Sequence, residues 1–188
     1  VTGPGPVRIA LAGIACFIAA AVLGPLVSHP DYASVTHTVS QLAGQNMPNA
    51  WIMRTGFVAF GAATVLAALL RLPAQPAVSV ALVLFGLAMV AAAVWSNLPI
   101  DPGLGGSAAE DRRHSIAASA MGVAFAAACV ARFWTPGPNR LDPFNLLALA
   151  CSVGLPMLML GSPAIAGAAQ RLMFLISFVW ILRQMAGR

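Results

Sequence analysis

The sequence predicts an all-α polytopic membrane protein, a compact bundle of six transmembrane helices with a short amphipathic helix in its first extracytoplasmic loop. Two observations carry that reading. Of the 188 residues, 60% are hydrophobic and 8% charged, against about 25% charged in soluble domains, so ionic groups are too few to cover a water-facing surface. Apolar windows of ~20 residues, long enough to cross the hydrocarbon core as helix, recur six times, near residues 9–27, 50–70, 77–96, 114–134, 145–161 and 164–182. Nothing the size of a soluble domain lies between them, so one transmembrane domain over 1–188 is expected.

The first span follows Arg8 and is longer than the ~7–15-residue apolar region of a signal peptide, which suits a retained helix. Residues 28–45, "SHPDYASVTHTVSQLAGQ", then form a polar connection holding two of the three histidines and the only tyrosine. Val35, Val39 and Leu42 recur there at helical spacing, with His37, Ser40 and Gln41 on another face. Such a helix lies in the membrane interface or dips into the bundle mouth, and its polar edge faces either water or the bundle. Arg54, one turn into the second span, can snorkel to the interface.

"RLPAQPA" breaks the chain before the third span, as proline should. Asp101 stands at that span's exit between Pro99 and Pro102. Ser107 and Glu110 form the S-x-x-E of a capping box, which starts the fourth helix near Ala108. Glu110 and His114 are then neighbours one turn apart, as are Asp111 and Ser115; acids in a first turn also suit the helix dipole without any further role. "TPGPNRLDP" separates the fourth and fifth spans, and Pro156 interrupts the fifth. Small residues in "IAASAMGVAFAAA" and "AIAGAA" allow close helix approach within or between protomers, so an oligomer is possible.

In the sixth span Arg171 falls about two turns inside, beside Gln170. A charge at that depth costs at least ~2.5–3.5 kcal/mol and needs a partner; Asp101 is the expected one, ahead of Glu110 and Asp111. Cys16, Cys129 and Cys151 lie in apolar runs without CxxC spacing and read as buried hydrophobes.

Arginine supplies every positive charge of the net +5. These arginines are scattered singly between spans, which points to topology and lipid headgroups and not to nucleic acid. With the N-terminus in the cytoplasm, Arg8, Arg71, Arg132, Arg140, Arg183 and Arg188 lie inside, and Arg54, Arg112, Arg113 and Arg171 outside. Both termini are therefore expected in the cytoplasm of a bacterial inner membrane, with the histidines and most acids at the outer face.

"HTVSQLAGQNMPNAWIMRTGFVAFG" and "LPIDPGLGGSAAEDRRHSIAASAMGVAF" resemble the DUF998 family of bacterial six-helix membrane proteins. The likeness rests on "SQL", on Trp51, Met53, Gly56, Phe57 and Gly61, and on Pro99-x-Asp101 followed by His114. It implies fold and topology and brings no established activity. The family usually carries an acidic residue where this chain has Gln41.

Three functional readings compete. In the first, the protein is an enzyme acting on a lipid or hydrophobic small molecule. His37 and His114 serve as acid and base, Asp101 orients or activates, and Arg54 and Arg171 hold an anionic group. Ser40, Gln41 and Glu110 complete the substrate contacts. A variant has zinc or another divalent metal on His29, His37 and His114 with Asp31 or Asp101, although no HxxxH or HExxH spacing supports it. The second reading is a lipid or small-molecule binder or transporter, and the third a structural subunit of a membrane complex.

Overall fold

The structure is a computed structural model that describes residues 4–135 and 142–187. Six long helices cross the molecule: α1 (Gly5–Leu23), α3 (Ala50–Arg71), α4 (Pro76–Val94), α5 (Ala108–Trp134), α6 (Pro143–Gly161) and α7 (Ala166–Met185); α2 (Val39–Leu42) is a single turn in the first loop. Each long helix, with its flanking 3-10 turn where present, is long and apolar enough to span a bilayer. Exposed Trp51, Trp95 and Trp134 sit at helix ends, where amphipathic indoles favour the headgroup level. The protein is a multi-pass helical membrane protein.

Proline and capping side chains set the helix boundaries. Pro76 and Pro143 open α4 and α6, because a first-turn residue needs no amide donor. Asp142 Oδ1 accepts the Phe144 amide at 3.1 Å. Ser107 caps α5 through the Glu110 amide, so α5 starts at Ala108 as the capping pattern predicts.

Consecutive helices α1, α3, α4 and α5 pack side by side, and α6 pairs with α7, which returns against α1 and α3. One end of the bundle, the loop face, carries residues 24–49, 95–107 and 162–165; the opposite terminal face carries the start of α1 and the end of α7. The core is aromatic. Phe17 meets Phe57, Phe60 and Phe178 edge-on at 5.3–5.7 Å, and rings continue through Phe85 and Phe125 to Trp180. Such edge contacts add about 0.5–1.5 kcal/mol each beyond area burial.

Near the terminal face, buried Asn145 ties three helices together. Its Nδ2 donates to the Cys129 carbonyl of α5 at 3.1 Å, and its Oδ1 accepts from Trp180 Nε1 of α7 at 2.8 Å. Arg183 pairs with Asp142 at 2.5 Å and lies over the Phe144 ring. Arg140 and Arg188, counted above among the inner charges, lie outside the described residues.

The first loop departs from expectation in one respect. Val39 and Leu42 are buried, but Val35 is 56% exposed. Thr38 adopts an extended backbone and caps α2, so the helix starts after Val35 rather than including it. With Gln41 it forms a capping box: the Thr38 amide donates to Gln41 Oε1 at 2.8 Å and the Gln41 amide to Thr38 Oγ1 at 3.1 Å. The local hydrogen bonds win over the apolar spacing.

Candidate functional site

A cavity of about 1170 Å³ opens at the loop-face half of the bundle. Its walls are α5 from His114 to Ala126, α6 from Ser152 to Leu160, and the start of α7; the first loop and α2 roof it. Met89, Met121, Met157, Met159 and Met173 supply much of the lining, and unbranched methionines suit adaptable apolar ligands. The volume exceeds the ~300–1,000 Å³ of ordinary small-molecule pockets. Exposed Ser119, Val123, Val153 and Leu160 also line it, so the cavity communicates sideways with the lipid-facing surface between α5 and α6.

His37, Ser40, Gln41 and His114 all line this cavity, although they come from distant parts of the sequence. His114 is 5% exposed. Its Nδ1 lies 3.0 Å from the Ala92 carbonyl and 2.8 Å from the Trp95 carbonyl. Two carbonyls can only accept, so Nδ1 carries the proton, and in the neutral ring Nε2 is an acceptor. His114 thus caps the unpaired carbonyls at the end of α4. His37 Nδ1 accepts the Ala33 amide at 3.0 Å, and its ring lies beside Tyr32.

Asp101, Glu110, Arg54 and Arg171 are outside the cavity lining. Asp101 Oδ1 accepts the Gly103 amide at 2.8 Å, and Oδ2 lies 3.7 Å from His29 Nε2. Glu110 and Asp111 reach back to the exit of α4, accepting the amides of Ser96 and Leu98 at 2.8 Å each. Arg54 donates to the carbonyls of Ala43 and Gly44 at 2.9 and 3.0 Å. Among the described residues, no three His, Cys, Asp or Glu side chains gather as metal ligands; His29 meets Asp31 and Asp101, apart from His37 and His114.

Arg171 forms no ion pair with Asp101. Its guanidinium donates to the carbonyls of Ser34, His37 and Gly167 at 2.6, 3.0 and 3.1 Å, and to the Tyr32 hydroxyl at 2.8 Å. The loop backbone thus solvates the charge. Carbonyls unpaired by secondary structure are acceptors in need of donors, and an arginine offers five in a fixed fork. Tyr32 in turn donates to the His37 and Thr38 carbonyls. Burial pushes its phenol pKa above the ordinary 10.0, against the lowering pull of Arg171, so the hydroxyl keeps its proton.

Two glutamines complete the frame. Gln45 is buried, accepts the Ser107 amide on Oε1 at 2.6 Å, and donates to the carbonyls of Ser96 and Ser107. It takes the place that the capping box reserves for Glu110. Gln170 accepts the Val39 amide at 2.7 Å and donates to Ser40 Oγ at 3.3 Å, joining α7 to α2. Sequence reasoning missed Gln45: a lone glutamine in a loop carries no periodicity, and its partners are more than 50 residues away.

The model of the family described as "Protein of unknown function (DUF998)" matches residues 10–183, nearly the whole chain. The chain belongs to this family. No curated protein and no solved structure matches it. The two segments that carry the DUF998 resemblance, residues 37–61 and 98–125, supply α2 with part of the roof and the His114 wall of the cavity.

Proposed function

We propose that the protein binds a lipid or hydrophobic small molecule that enters sideways from the bilayer between α5 and α6. The single observation behind this reading is the cavity of about 1170 Å³, apolar over most of its wall and polar where His37, Ser40, Gln41 and His114 meet. An amphipathic molecule matches that division, with its chain among the methionines and its polar end beneath α2. With both termini in the cytoplasm of a bacterial inner membrane, the polar end lies toward the outer leaflet. In this reading Arg54 and Arg171 hold the first loop that roofs the cavity, and Asp101 and Glu110 hold the loop that follows α4, since their donors and acceptors engage backbone groups.

A second reading, an acid/base enzyme acting on the same ligand, is favoured by one observation: His37 and His114 line the same cavity. It lacks a carboxylate in the lining to orient either ring.

Gly122 provides the test. It lines the cavity, and a Cβ built there meets no atom within 4 Å. Gly122→Leu should fold normally and narrow the space between α5 and α6. Native mass spectra of wild-type protein released from mild detergent should then carry a lipid-sized adduct that the variant lacks. Equal adducts on both proteins would remove the cavity as the binding site.

A further inference from the structure

Resting on that reading, the geometry points to the chemistry of the ligand's polar end. We propose that the occupant is a long-chain alcohol, an apolar chain ending in an uncharged hydroxyl that donates its hydrogen bond to His114 Nε2.

None of the arginines, aspartates or glutamates among the described residues lines the cavity. Arg54 and Arg171, the arginines bonded to the first loop, give their donors to the carbonyls of residues 34, 37, 43, 44 and 167 and to Tyr32. A phosphate or carboxylate headgroup would enter a low-dielectric space with no cation to meet it, at a cost of several kcal/mol. A neutral headgroup avoids that cost.

The free acceptors and donors of the lining narrow the headgroup further. At the roof, Gln41 Oε1 is taken by Thr38, Gln170 by Val39 and Ser40, and His37 Nδ1 by the Ala33 amide, so the groups left over there, Gln41 Nε2 and the second nitrogen of the neutral His37 ring, are donors that a hydroxyl oxygen can accept from. His114 differs. Its side chain is more than nine-tenths buried and lines the cavity, and Nδ1 is anchored to two carbonyls. Nε2 has no protein partner among the described residues and is not one of the fully enclosed unpaired atoms. A ring held by one nitrogen, with the other open to an apolar cavity, presents an acceptor waiting for a donor. Across the cavity, Pro156 lacks the amide that would have bonded the Ser152 carbonyl, which leaves a second acceptor in the wall. Both favour a ligand that donates. A hydroxyl does so without charge; an ester or ketone does not.

The test compares geranylgeraniol with geranylgeranyl phosphate, which share the chain and differ in headgroup, on the full chain in detergent micelles by native mass spectrometry titration. Wild type should bind the alcohol at least about tenfold more tightly, the equivalent of one ordinary hydrogen bond. His114→Asn keeps a donor for the Ala92 and Trp95 carbonyls and removes the Nε2 acceptor, so it should weaken binding of the alcohol by about tenfold with little change in Tm, and unchanged alcohol binding would overturn the assignment to Nε2. Preference for the phosphate would overturn the proposal. Equal binding of both probes, abolished by Gly122→Leu, would overturn the hydroxyl assignment and leave the cavity reading standing. Binding of neither would remove both. Should His114→Asn fail to fold, the wild-type comparison of the two probes still decides.

Discussion

The α1–α3–α4 side and the α5–α6 side of this bundle are both rich in small residues, yet they use them in opposite ways. Between α3 and α4, a Cβ at Gly61 would come within 2.7 Å of the Gly86 carbonyl, and one at Gly86 within 2.5 Å of the Gly61 carbonyl. Between α1 and α3, Gly13 and Gly56 are as tightly met by Ala63 and Ala20. These glycines bring backbones together, as small-residue interfaces do in membranes. On the other side, Gly122, Gly154 and Gly161 meet nothing within 4 Å. Half of the apolar stretch of α3 is buried, but 17% of that of α6. Small residues therefore make contact on one side and room on the other. A membrane bundle gains little from expelling lipid, so a face stays open unless backbones or hydrogen bonds close it.

The sharpest way to break that comparison is to add the same side chain on each side. Gly86→Leu should cost about 3 kcal/mol or more, because its neighbour is backbone and cannot turn away; thermal unfolding in detergent should show the loss, or the variant should fail to accumulate. Gly122→Leu should leave Tm within a few degrees or raise it slightly, since leucine is the better helix former. Similar losses at both positions would erase the distinction between the two sides.

The next effect concerns the roof. Arg171→Met removes four hydrogen bonds from a charged donor and should lower stability by about 3 kcal/mol. Adding Asp101→Asn should give no rescue, because no ion pair joins them; a restored Tm in the double variant would reinstate that pair. Gln45→Leu leaves the Ser107 amide and Ser96 carbonyl without their partner, for a loss of roughly 2 kcal/mol. Gln41→Ala, which breaks only a local cap, should cost about half as much.

The smallest effect is a pH dependence. The Tyr32 phenol has its pKa raised in the folded protein, so its contribution is full below pH 10 and declines as pH climbs past 10 towards the raised value. Denaturation midpoints measured from pH 8 upward should fall above pH 10 in wild type. Tyr32→Phe should start lower by about 1 kcal/mol and lack that part of the decline.

Much of this molecule was legible one segment at a time. Apolar length marked all six spans, the prolines of "RLPAQPA" and "TPGPNRLDP" marked breaks between them, and Ser107 marked the start of α5, because each is a local rule. His37, Ser40, Gln41 and His114 were singled out as chemistry-bearing residues on one face of the membrane, and they do line one cavity. What was not legible is how the charges are spent. Arg171 was assigned a carboxylate and found carbonyls instead; Glu110 was assigned its own helix cap and bonds the end of α4. Backbone groups are the same at every residue and leave no mark in the sequence, so their demand for partners is invisible until the loops are in place.

The sequence by itself determined that this chain crosses the membrane as helices and gathers its histidines and most of its acids at one face, since bilayer thickness and the cost of burying charge act on each segment separately. Only the tertiary structure decided that a cavity opens between α5 and α6 in the loop-face half, that Arg54 and Arg171 bond the carbonyls of the first loop, and that His114 turns Nδ1 to the end of α4 while lining the cavity. Those outcomes depend on which backbones approach closely enough to share hydrogen bonds, and that is a property of pairs of helices rather than of any one of them.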